Sequence, residues 1–353
     1  MKKIIIDTAS PQPPKANVLM IYTGGTLGMV YDNVKGLVPF DFELIEQKIP
    51  ELRKLQLEIT VISIEPLIDS ANIQPNHWIE LATIVRDNYE QYDGFVILHG
   101  TDTMAYSASA LSFLLQNLGK PIVFTGAQLP IGEPRNDARV NLITSLEVAS
   151  SKNDYGHPAV PEVCILFDYF LWRGNRTKKV ESEYFDAFNS QNYPHLAEVG
   201  IDIQYNYKFI KPLPVDLPLA PYTNLATEVG VVKVFPGLQP KWLEKTLLDA
   251  TMRAVVLETY GSGTAPTAPW FLKVVEKAIL QGMIVLNVSQ CFGGMVMQGL
   301  YETSRYLNDI GVVSGKDITV EAALAKLMFL LAKEEDKENI IKQLRIPLCG
   351  EMS

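Results

Sequence analysis

A chain of 353 residues exceeds the usual size of one domain, so two domains, each with its own core, are expected. Hydrophobic residues at 47% and charged residues at 20% are ordinary for a soluble globular protein, and a net charge of −9 without a basic stripe argues against nucleic acid or an anionic membrane as partner. No apolar run nears the length of a membrane span, three isoleucines after Lys3 are too few for a signal-peptide core, and Cys164, Cys291 and Cys349 form no short-spaced pair, as expected in a reducing cytoplasm.

Residues 1–16, with their prolines and lysines, read as a loosely held lead-in. Val18 to Tyr22 is apolar without alternation, the pattern of a strand covered on both faces of a parallel sheet. It runs into Thr23-Gly24-Gly25-Thr26-Leu27-Gly28, a turn with neither the spacing of a dinucleotide fingerprint nor the Lys-Ser/Thr pair of a phosphate-binding loop. What remains is a threonine held at a strand end by flexible backbone, which reads either as a nucleophile site or as an ordinary β-turn. Met29 to Pro39 has no clear period and reads as a mobile loop over a site or as a hairpin. Phe42 to Leu55 has helical spacing broken by Pro50, and Leu57 to Ile64 alternates like a strand. Asp69-Ser70-Ala71-Asn72 marks the next strand end, and Pro75 suits the first turn of a helix running to about Gln91.

Phe95 to Leu98 is a further buried strand, stopping abruptly at His99-Gly100-Thr101-Asp102-Thr103. Leu111, Leu114, Leu115 and Leu118 then recur at helical spacing until Lys120-Pro121. Ligands of open α/β sheets bind outside the carboxyl ends of the strands, which puts Thr101 and Asp102 where chemistry is done; the competing reading is that Asp102 or Thr103 only caps the helix. Strands follow at Lys120 to Thr125 and Val160 to Phe167, with a helix from Pro134 to Ser150 between them and a long polar stretch after them. Residues 207–228, with four prolines, read as a stiffened linker. Strands near 230–235, 253–259 and 283–288 then alternate with helices near 239–249 and 267–281, and helical segments at Thr303 to Asn308 and Val320 to Glu334 close the chain. The expected class is α/β with mainly parallel sheets: a larger doubly wound N-terminal domain (1–206), the linker (207–228) and a smaller C-terminal domain (229–353).

The histidines His77, His99, His157 and His195 lack metal-ligand spacing, and no paired C-x-x-C occurs, so no metal site is expected. His99 invites a Ser-His-Asp reading, but no G-x-S-x-G elbow is present and its place at a buried strand end favours a structural role.

Together the T-G-G-T and H-G-T-D-T turns resemble those of the bacterial-type L-asparaginases, the cytoplasmic type I branch in particular. The resemblance continues through Asp69-Ser70, Thr125 to Pro130, Arg173-Gly174-Asn175-Arg176-Thr177-Lys178-Lys179, Asp186 to Phe188, Tyr260 to Gly263 and Asn287 to Cys291. It implies attack by Thr26 on the side-chain amide of asparagine, with Thr101, Asp102 and Lys179 as the activating unit, where Lys179 beside Asp102 would otherwise read as an ordinary ion pair. Which threonine acts first is open. Gly25, Ser70, Thr101, Asp102, Ala127 and Thr264 fall at substrate-binding places; Asp102 and Ser70 suit the α-amino and α-carboxylate groups. The resemblance implies no cofactor, a cytoplasmic homodimer or homotetramer, and an active site near a subunit interface.

This sequence departs from the family pattern in four places. The usual lid tyrosine falls at Leu37, leaving Tyr31 as the alternative source of its hydroxyl; Ala71 follows Ser70 where a polar residue is usual; and Thr264 stands for an asparagine. Glu258 takes the place of an effector-binding arginine near Cys291, which implies hyperbolic saturation. Competing readings are a glutaminase-asparaginase, the subunit of an amidotransferase acting on charged tRNA, and an inactive amino-acid-binding relative.

Overall fold

Val18 to Ile21 and Phe95 to Leu98 are fully excluded from solvent, as runs without alternation must be when both faces of a sheet are covered. Around them a computed structural model describes residues 2–8, 11–32, 36–39, 45, 49–214, 216–299 and 302–353, with side chains for all of these except 2, 30–32, 36–39 and 302–304. The chain divides into two compact units, Met1–Tyr222 and Thr223–Ser353.

In the first unit, nine strands among the described residues form one sheet, in the order Lys2–Asp7, Leu57–Ser63, Ala16–Tyr22, Gly94–Leu98, Ile122–Thr125, Val163–Phe167, Phe170–Arg173, Ala197–Val199, Ile203–Tyr205. The five from Leu57–Ser63 to Val163–Phe167 are parallel, and the rest pair antiparallel. Ala16–Tyr22 lies between the two strands that follow it in sequence, so the order reverses beside Gly94–Leu98. That switch point is where a doubly wound sheet opens a crevice at its strand ends. Helix Ala138–Ser150 covers one face, its Leu142 and Leu146 packing with Val18, Met20, Val96 and Leu98. The second unit holds the parallel strands Val229–Lys233, Ala254–Thr259, Ile284–Ser289 and Val313–Ser314 in that order, with helices between them.

Several expectations are corrected. The lead-in is an edge strand: Lys2–Asp7 pairs along its length with Leu57–Ser63, and the Thr8 hydroxyl and amide both bond Leu57 O. Helix Met104–Leu114 stops before Leu115, because Leu115–Gln116 pairs with Ala220–Pro221, inside the segment read as a linker. The polar stretch after Phe167 begins with Phe170–Arg173, a return strand on Val163–Phe167. The strand end expected at Asp69 is a 3-10 turn, Ser70–Asn72. Helix Lys337–Leu344 went unread. The helical reading of Phe42 to Leu55 falls mostly outside the described residues; Pro50 opens a 3-10 turn, Pro50–Lys54.

Candidate active site

Three turns meet at the switch point, and glycine is what lets them touch. Gly25 sits at φ 89°, and a Cβ there would stand 2.6 Å from Gly100 N; a Cβ on Gly100 would stand 2.6 Å from Ser70 Oγ. The T-G-G-T and H-G-T-D-T turns are therefore in backbone contact, and the latter lies against the Ser70 side chain of the Asp69 turn, packing that a side chain at either glycine would break. Hydrogen bonds lock the stack. Thr23 Oγ1 donates to Leu98 O (2.9 Å), Ile68 N to Thr23 O (2.7 Å) and Thr103 Oγ1 to Ser70 O (2.7 Å). Thr103 precedes the helix without capping it through its side chain, because its hydroxyl is spent on the neighbouring turn.

Asp102 makes no cap either. Lys179 Nζ donates to Thr101 Oγ1 (2.8 Å) and to Asp102 Oδ1 (2.7 Å), joining residues 78 and 77 positions apart. The Lys179 side chain is 19% exposed and that of Asp102 64%. Lys179 ends a two-residue strand, Lys178–Lys179, paired with Phe188–Asn189. The approach to it is fixed upstream, where Thr177 Oγ1 bonds Arg173 O (2.7 Å) and Arg173 is held by the buried carboxylate of Glu162. An ammonium touching both a hydroxyl and a carboxylate can favour a developing alkoxide and pass on a proton.

Thr26, half-buried, opens the 3-10 turn Thr26–Gly28, anchored by the bond from Tyr22 OH to Gly28 O (2.7 Å). Ser70 and Ala127 are buried beside the same crevice turns, whereas Ala71 is exposed. Met29–Asp32 and Gly36–Pro39 form an antiparallel hairpin in which Tyr31 and Leu37 are direct register partners; the side chains of both lie outside the described residues. Thr264 belongs to the second unit, where it bridges to Tyr260 (N to O, 2.9 Å) in the Tyr260-Gly261-Ser262-Gly263 turn. There Glu258 is half-buried, its carbonyl taken by Gln290 Nε2 (2.8 Å), and Cys291 is exposed. Among the described residues, no three His, Cys, Asp or Glu are grouped to hold a metal ion.

Two supports escaped the sequence reading. The Asp137 carboxylate accepts Gln128 N (2.8 Å) and Leu129 N (3.0 Å), and Asn141 Nδ2 donates to Gly126 O (3.0 Å). These two residues, one turn apart at the start of helix Ala138–Ser150, hold the Gly126-Ala127-Gln128 turn; their signal was a polar pair at helical spacing directly after the loop. His99 was read as structural, and its partners are now visible. Nδ1 lies 2.7 Å from Gly100 O, Nε2 2.9 Å from Ser107 Oγ, and Trp78 Nε1 donates to that oxygen (2.8 Å). Burial pushes the imidazole pKa down to about 4, although its bond to Gly100 O favours the charged form.

Comparison with known proteins identifies the family of the fold that carries these turns. Residues 17–211 match the family model for the asparaginase N-terminal domain, and residues 228–344 that for the glutaminase/asparaginase C-terminal domain. The chain is 40% identical to L-asparaginase 1 of Escherichia coli (strain K12), across 96% of this chain and 98% of that one. It is 37% identical to the 60 kDa lysophospholipase of Mus musculus, across 96% of this chain and 63% of that one. The crystal structure of L-asparaginase I from Vibrio cholerae superposes with a TM-score of 0.85 at 37% identity, covering 96% of this chain and 99% of that one.

Proposed function

The chain belongs to the asparaginase family, and from that premise we propose that it is an L-asparaginase working through a threonine acyl-enzyme. Thr26 Oγ1 attacks the side-chain carbonyl carbon of asparagine. The C–N bond breaks, the nitrogen leaves as ammonia with the threonine's proton, and water then cleaves the ester to give aspartate. Thr101, with Lys179 and Asp102, takes and returns protons in these steps. The observation that carries this reading is the Lys179 ammonium within 2.8 Å of Thr101 Oγ1 and 2.7 Å of Asp102 Oδ1, beside the turn that bears Thr26.

Gly25, Ser70, Thr101, Asp102 and Ala127 line the substrate's place, the α-amino group meeting Asp102 and the α-carboxylate Ser70. Tyr31 supplies the lid hydroxyl, and Thr264 is contributed by a neighbouring subunit of a cytoplasmic homo-oligomer. With Glu258 in place of an arginine, asparagine saturates the enzyme hyperbolically.

Ammonia release from asparagine and from glutamine by the purified protein is the test. Turnover of asparagine with glutamine much poorer is expected. Comparable kcat/KM for both overturns the asparagine preference, and no release from either overturns the hydrolase.

A further inference from the structure

With the imidazole kept neutral by its burial, the hydrogen bonds around His99 admit one arrangement of protons. The indole N–H of Trp78 can only donate and the carbonyl of Gly100 can only accept. Gly100 O lies 2.7 Å from Nδ1, so Nδ1 carries the proton; Nε2, left bare, accepts the Ser107 hydroxyl proton at 2.9 Å; and Ser107 Oγ is then free to accept from Trp78 Nε1 at 2.8 Å. The chain runs from helix Pro75–Asn88 through helix Met104–Leu114 to the catalytic turn, and all three side chains are buried. Neither ring nitrogen is left over to exchange a proton with substrate.

We propose that His99 is a positioning residue for the amide hydrolysis above, its Nδ1–H fixing the Gly100 carbonyl and with it the plane of the peptide group that begins Thr101. The inference rests on the proposed function, because it concerns how Thr101 Oγ1 is presented to Lys179 Nζ, 2.8 Å away. Gly100 is also closely approached by Gly25 and by the Ser70 side chain, so the turn it belongs to sits against both neighbouring turns. Hydrogen bonds in such a chain polarise one another.

Kinetics of His99→Asn, His99→Leu and Ser107→Ala test this. The asparagine side-chain nitrogen reaches the place of Nδ1 and keeps the donor to Gly100 O. Because a misplacement of about 1 Å costs roughly 100-fold, His99→Leu is expected to lose about that in kcat with little change in KM, and His99→Asn to stay within about tenfold of the parent. Ser107→Ala, which frees the ring without removing it, falls between. His99→Asn as slow as His99→Leu, with both folded by near-UV circular dichroism, overturns the proposal, since the ring itself would then be required. So does His99→Leu at parental kcat, or a loss confined to KM. Should His99→Leu not fold, His99→Asn and Ser107→Ala still decide, together with the imidazole 15N spectrum of the parent at neutral pH. A protonated Nδ1 beside a bare Nε2 is expected, and the opposite tautomer overturns the chain of bonds. That spectrum needs no substrate, so a parent inactive on asparagine refutes the proposed function separately.

Discussion

Arg173 and Lys179, at the two ends of one short stretch, each meet a carboxylate, and the two pairs are built for different ends. Arg173 Nε lies 2.5 Å from Glu162 Oε2 and an Nη 3.2 Å from Oε1, with side-chain exposures of 6% and 3%. The rest of the pair is also used: Lys211 N donates to Glu162 Oε1 (2.9 Å), Phe209 O accepts from Arg173 (2.9 Å), and the guanidinium stacks 4.3 Å from the centre of the Tyr193 ring. Lys179 meets an aspartate that is 64% exposed. Breaking a buried pair strands a charge in the interior, whereas water takes over an exposed partner. Arg173 thus anchors the stretch in the interior, while Lys179, at its far end, is left at the crevice where the proposed mechanism uses it.

The sharpest way to break that division is at Lys179 itself. Lys179→Met, like Thr26→Ala or Thr101→Ala, is expected to lower kcat by roughly 1,000-fold or more, because residues acting as a unit fail together. Urea unfolding of the same variant should stay close to the parent. Near-normal turnover by any of the three would end the assignment of roles.

At the Arg173 end the expected effect moves from rate to stability. Glu162→Ala leaves the Arg173 guanidinium buried with its carboxylate gone, a loss of about 3–5 kcal/mol by urea unfolding. Turnover per folded molecule should then fall far less than in Lys179→Met. A stable Glu162→Ala protein with no activity would mean that both ends of the stretch serve the reaction.

His99 adds a buried group that carries no charge at all, and its titration gives the comparison a pH axis. Its folded pKa, near 4, lies below the ordinary 6.5, so between those values the unfolded chain binds more protons than the folded one. The stability this contributes is complete above pH 6.5 and is lost as pH falls to 4, about 3 kcal/mol in all. Urea unfolding at steps across that window should show the slope, and His99→Asn should flatten it. An unaltered slope in the variant would assign the loss to other groups.

What the sequence allowed follows from how local each signal is. The unalternating runs Val18 to Tyr22 and Phe95 to Leu98, and Pro75 at a helix start, are written within a few residues, and the structure follows them. Leu115 and Leu118 continue the helical period, yet Leu115 leaves the helix because a partner strand from Ala220–Pro221 takes its backbone. Ile4, Ile5 and Ile6 were too short a run, between lysines and an aspartate, to be separated from a terminus until Leu57–Ser63 gave them a ladder. The meeting of Lys179 with Thr101 spans 78 positions and was reached only through family resemblance. The supports at Asp137, Asn141 and Ser107 became legible once the turns they bond were placed.

The smallest expected effect is the most discriminating for the exposed pair. Asp102→Ala removes one partner of Lys179, but the aspartate is 64% exposed and already largely hydrated. Exposed pairs typically contribute about 0–1 kcal/mol, so Asp102→Ala should lie within about 1 kcal/mol of the parent in urea unfolding. The Lys179 side chain, 19% exposed, still reaches water when the carboxylate is gone, so no charge is stranded as it is in Glu162→Ala. Catalysis has no such substitute, since water cannot hold the lysine against Thr101 in a fixed direction, and kcat should drop by orders of magnitude while the unfolding curve barely moves. A loss near that of Glu162→Ala would show that Asp102 serves the fold, and the contrast between the two ends of the stretch would collapse.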